Sequence, residues 1–122
     1  MAQTFAAEGV AKDSDDGAFR VVLSAEEGLR VGENELVVRL GFHDPHDPLS
    51  PGRGIPGAEV LLFAWMPHAG IELEELRGVH VGDGRYAIGL ELPEPGVWQL
   101  DFGFAVGDGV SDSASFAFVI GE

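Results

Sequence analysis

Four histidines, His43, His46, His68 and His80, are the side chains of this 122-residue chain best suited to binding a metal. Two of them fall in His43-Asp44-Pro45-His46-Asp47, which packs two imidazoles and the Asp47 carboxylate into one short stretch. Imidazole suits copper, zinc and nickel, whereas carboxylate suits harder ions. Met66-Pro67-His68 offers a thioether beside an imidazole, a softer pair that would favour copper(I). Each candidate has a plainer reading. Residues 43–47 can be a solvated loop whose polar side chains make turns, Met66 a core or rim methionine, and His80 a surface histidine on a strand. The chain has no cysteine, which removes disulfides, Cys-based zinc sites, iron–sulfur clusters and thiol catalysis.

Catalytic constellations are absent from the pattern. Ser24, Ser50, Ser111, Ser113 and Ser115 lack a nucleophile-elbow context. There is no Walker loop and no dinucleotide fingerprint. Paired carboxylates are common, but so acidic a chain supplies them by composition alone. Asp13, Asp15 and Asp16 lack the full calcium loop and read as solvated. The expectation is a protein that is not an enzyme.

Charge narrows the partners. Against 21 acidic residues stand 7 basic ones, a formal net charge of −14. Nucleic-acid binding rests on neutralising phosphates, so this balance argues against it. An anionic membrane surface is disfavoured for the same reason. A metal ion or a partner protein remains. No apolar run reaches the ~20 residues of a spanning helix. Met1-Ala2-Gln3-Thr4-Phe5 shows neither the basic nor the apolar region of a leader.

The elements that must position these residues are strands. With 18 glycines and 7 prolines, long helices are disfavoured. Period-two alternation is clear in Leu36, Val38, Leu40 and Phe42. It recurs in Tyr86, Ile88, Leu90 and Leu92, in Trp98, Leu100, Phe102 and Phe104, and in Ala114, Phe116, Phe118 and Ile120. Such alternation turns one face to a core and the other to water. Val60 to Met66 is apolar throughout, as a strand covered on both faces would be. Strands are expected at 17–24, 33–42, 58–66, 71–80, 84–92, 96–106 and 110–120, with 71–76 open to a helical turn instead. The predicted fold is all-β, an immunoglobulin-like antiparallel sandwich of about seven strands. It would occupy 17–122, behind a flexible acidic arm over 1–16.

If consecutive strands alternate direction, the loops sort to two poles. The loop 43–57 and the turns 81–84 and 107–110 share one pole; 25–32, 67–70 and 93–96 share the other. An eight-residue strand separates the poles by roughly 25 Å. His43 and His46 can then meet His80, with Asp83 or Asp108 near, but not Met66 or His68.

Residues 56–106 carry a resemblance. Pro56-Gly57-Ala58-Glu59-Val60, Trp65-Met66-Pro67-His68-Ala69-Gly70, Gly82-Asp83-Gly84-Arg85-Tyr86 and Pro95-Gly96-Val97-Trp98 follow one another. This succession resembles the YtkA-like domain, a small β-sandwich family related to the FixH proteins. The resemblance implies an extracytoplasmic or periplasmic domain, several relatives of which are associated with copper handling. Ala69 stands where the family has its second methionine, and Ile71 where it has the following histidine. The residues and the resemblance together lead to an expectation of a small extracytoplasmic metal-binding module. Copper would be held by His43, His46, His80 and Asp47, or alternatively by Met66 and His68. The alternative function is a metal-free immunoglobulin-like interaction or accessory domain, and a cytoplasmic placement stays open.

Overall fold

The computed structural model describes residues 3–4, 10–15, 17, 19–25, 28–42, 54–55, 57–107 and 110–120. They form strands and turns, and no helix occurs among them. Nor is any helix there long and apolar enough to cross a membrane. The strands are β1 (Gln3–Thr4), β2 (Val10–Asp13), β3 (Phe19–Ser24), β4 (Gly32–Phe42), β5 (Glu59–Met66) and β6 (Ile71–Glu72). They continue as β7 (Leu76–Arg77), β8 (Val79–Gly82), β9 (Arg85–Leu92), β10 (Gly96–Val106) and β11 (Val110–Ile120). One sheet runs β2-β3-β4-β9-β8; the other runs β1-β11-β10-β5-β6, with β7 also on β5. Pairing is antiparallel except for β1 on β11.

The alternating segments face inward as their period requires. Leu36, Val38, Leu40, Tyr86, Ile88 and Leu90 are buried on one sheet, against Val60, Leu62, Trp98, Leu100, Phe102, Phe104, Phe116 and Phe118 from the other. Burying each such side chain contributes about 1.5–3 kcal/mol. The aromatic side chains make specific contacts. Phe102 meets Phe116 edge-on at 5.8 Å, and Phe104 meets Phe19 edge-on at 6.2 Å. Near the N-terminal end, the Ser14 hydroxyl donates to Asp112, and the Phe19 amide donates back to Ser14. Asp13 pairs with Arg20 at 3.0 Å while its side chain stays 42% exposed.

Four expectations change. First, 71–80 is not one strand. β6 and β7 pair with β5 in one sheet, and β8 pairs with β9 in the other, so the chain changes sheet at Gly78. Gly78 lies where a Cβ would sit 3.0 Å from the Tyr86 Cβ and 3.3 Å from the Val60 Cβ, one atom in each sheet. Only a residue without a side chain passes there unhindered. Second, β5 is fully buried on its inner face alone; Leu61, Phe63 and Trp65 on the outer one are half-buried. Third, Phe42 does not complete the inward row of β4. It is 51% exposed, because β4 runs past the start of β9, whose first residue pairs with Arg39. Fourth, the two short strands β1 and β2 lie within the segment read as an arm.

Candidate functional site

The strand ends sort to two poles, as antiparallel pairing requires. Arg39 pairs with Arg85 and Ala105 with Glu59, so the ends of β4 and β10 lie beside the starts of β9 and β5. Gly32 pairs with Leu92 and Gln99 with Trp65, which gathers the other ends together. The chain at Gly54 and Ile55 is sewn to the first pole by backbone. Gly41 bridges to Gly54, the Ile55 amide donates to the Leu40 carbonyl, and the Leu40 amide donates to the Gly84 carbonyl. Gly84 has φ +74°, and a Cβ there would lie 2.6 Å from the Gly54 Cα. A side chain would push the returning segment off the turn.

Of the expected metal ligands, His43, His46 and Asp47 lie outside the described residues. Asp108 does too. His80 is exposed on β8, paired with Tyr86, which in turn pairs with Val38. It therefore stands level with Val38, four residues before the end of β4. Its ring lies 5.1 Å from the Tyr86 ring at 46°. The Tyr86 hydroxyl is already engaged: it donates to the Ile55 carbonyl at 2.6 Å and accepts from the Ala58 amide at 2.9 Å. Among the described residues no three His, Asp or Glu side chains come together in a group able to hold a metal ion.

Met66 and His68 are at the opposite pole and do not share an environment. Met66 is 5% exposed, and its Cε packs so closely on Gly96 that a Cβ there would come within 2.5 Å. His68 is exposed in the turn that follows. The tryptophans serve the structure. The Trp98 indole N–H donates to the Glu94 carbonyl, and that of Trp65 donates to Asp101 at 2.8 Å.

A different feature emerges at the edge formed by β8. This strand ends its sheet, and Val79 and Val81 on it are 65% and 54% exposed. Natural edge strands are usually blunted by charge, because an open edge invites pairing with another chain. Three other edge strands follow that rule, since β2 contains Lys12 and Asp13, β6 Glu72 and β7 Arg77, whereas the two-residue β1 is uncharged but polar, Gln3 and Thr4. β8 carries no Lys, Arg or carboxylate.

β8 also covers only part of its neighbour. It pairs with β9 over Arg85–Ala87, and beyond that the chain has left for the other sheet at Gly78. Among the described residues, Gly89 to Leu92 therefore pair with no strand on that side, where Leu73, Glu74 and Leu76 lie beside Gly89, Glu91 and Pro93. On the outer face of β9 and β4 an open groove of about 800 Å³ lies over Gly89, bordered by Val79, Val81, Glu33, Glu35, Glu91 and Arg30. A Cβ on Gly89 would meet nothing within 4 Å. Reading 71–80 as one strand hides this edge. The signal that could have revealed it is the charge-free run Val79-His80-Val81 directly after a glycine.

Comparison with protein families, with curated proteins and with solved structures found no match.

Proposed function

We propose that this chain is a β-sandwich interaction domain that engages a partner protein through the edge formed by β8 and the uncovered part of β9. The carrying observation is the pair of exposed valines, Val79 and Val81, on a charge-free edge strand. Apolar side chains on an open edge are an aggregation hazard unless a partner covers them. The strand order supports an immunoglobulin-like type. β3-β4-β9-β8 in one sheet and β5-β10-β11 in the other reproduce the four-plus-three division of constant-type immunoglobulin domains. Many such sandwiches serve as cell-surface domains.

A photoreactive residue placed at Val79, in the cells that make the protein, tests this reading. A specific protein adduct is expected from position 79 that disappears when Val81→Lys is added, and none from a control at Glu94. Equal adducts at both positions, or none at Val79, would overturn it.

The position of His80 favours a second reading. It is exposed on the strand that leads into the turn at the pole where β4 ends and the segment from Gly54 returns. Together with the resemblance of 56–106 to YtkA-like domains, this supports copper binding by His43, His46, His80 and Asp47 in an extracytoplasmic setting. Metal analysis after incubation with copper or zinc and desalting separates the two readings. Retained metal that is lost in the His43→Ala/His46→Ala variant and kept in His68→Ala supports the metal module. A chain that keeps none at micromolar protein leaves the interaction domain alone.

A further inference from the structure

We infer that the uncovered edge of β9 accepts an extended segment of a partner protein in which apolar side chains alternate with lysine or arginine. The inference rests on the interaction reading above and specifies the chemistry of what it binds.

Three independent features converge. The first is backbone. β9 is paired along its whole length with β4 on one side, but with β8 only over Arg85–Ala87 on the other. Among the described residues Gly89–Leu92 pairs with no strand on that side over about 13 Å, and the space beside it is walled by Leu73, Glu74 and Leu76. Strand addition of this kind draws affinity from main-chain hydrogen bonds and specificity from the pockets beneath alternate side chains.

The second feature is shape. On the outer face Ala87 and Gly89 form the floor, and Val79 and Val81 stand at one end. The open space over Gly89 fits one apolar side chain of the incoming strand.

The third feature is charge. Glu35 pairs with Gly89 across the sheet and Glu33 pairs with Glu91, so three exposed carboxylates rim the floor. Among the described residues lining the groove, Arg30 is the one basic group. Within a chain of net charge −14, an incoming acidic strand is repelled and a basic one attracted. Neutral apolar strands fit the floor but leave the rim unanswered, which is why alternation of the two types is specified.

Fluorescence anisotropy with the full chain and labelled peptides of about eight residues provides the test. The probes are an alternating Lys/Val peptide, a Glu/Val peptide, a Lys/Ser peptide and a Lys/Val peptide N-methylated on alternate amides. The Lys/Val peptide should bind at least about tenfold more tightly than each of the other three. Gly89→Leu, which fills the groove without meeting the core, should abolish that binding, with an unchanged thermal melt showing that the fold is intact. Glu35→Gln/Glu91→Gln should weaken it several-fold and flatten its dependence on salt. Equal binding of the Lys/Val and Lys/Ser peptides would reduce the effect to charge alone and overturn the inference. Undiminished binding by the N-methylated peptide or by Gly89→Leu would also overturn it. If no peptide binds by about 1 mM while the Val79 crosslink still forms, the stated partner chemistry fails and the interaction domain stands.

Discussion

The Tyr86 hydroxyl donates a hydrogen bond to the carbonyl of Ile55, 31 residues earlier in the chain, at 2.6 Å. It simultaneously accepts from the Ala58 amide. One buried phenol on β9 thus receives both sides of the segment that enters β5, and its ring supports His80 on the neighbouring strand. The polar link sits inside the core, so its loss is not made good by water.

Tyr86→Phe removes the hydroxyl while keeping the ring. It strands the buried Ile55 carbonyl and an amide, at a cost of about 1–3 kcal/mol. Urea denaturation should show a lower midpoint with an unchanged slope, and the Ala58 amide should lose protection in hydrogen exchange.

Gly78 and Gly89 should respond oppositely to a methyl group. A Cβ on Gly78 would press against Val60 and Tyr86 in both sheets, so Gly78→Ala should destabilise by about 1–3 kcal/mol. A Cβ on Gly89 meets open space, so Gly89→Ala should be neutral or stabilise by up to about 1 kcal/mol. Paired denaturant melts check both, and equal effects would contradict the sheet change at Gly78.

Phe102 is 2% exposed and contacts Phe104 and Phe116. Phe102→Ala should cost about 3–5 kcal/mol, close to the whole stability of a small domain. Circular dichroism should show a β spectrum for the wild type and a largely unfolded population for the variant at 37 °C.

Self-repulsion from a net charge of −14 should make stability depend on salt. Going from about 10 mM to about 150 mM sodium chloride shortens the screening length from about 30 Å to about 8 Å. The Tm should rise by several degrees, and a fall would show that attractive pairs such as Arg20–Asp13 outweigh the repulsion.

Features that depend on neighbours along the chain could be read from the residues alone. Side chains alternate faces because each strand residue is turned relative to the last, so the inward rows of Tyr86–Leu92, Trp98–Phe104 and Ala114–Ile120 were legible before any partner strand was known. Sorting the strand ends to two poles needs more than that, because it rests on neighbouring strands running antiparallel. Tertiary structure decided which sheet each strand joins. Ile71 to Gly82 can alternate in either sheet, and only the pairings Trp65↔Glu72 and His80↔Tyr86, with a close passage at Gly78, divide it. That division leaves half of β9 uncovered and exposes Val79 and Val81, so the candidate interaction edge exists only in three dimensions. His43, His46 and Asp47 could be named as ligand types from their spacing and lie outside the described residues. Met66 was equally nameable, yet packing against Gly96 makes it a core side chain, because burial is a property of the assembled sheets and not of the local sequence.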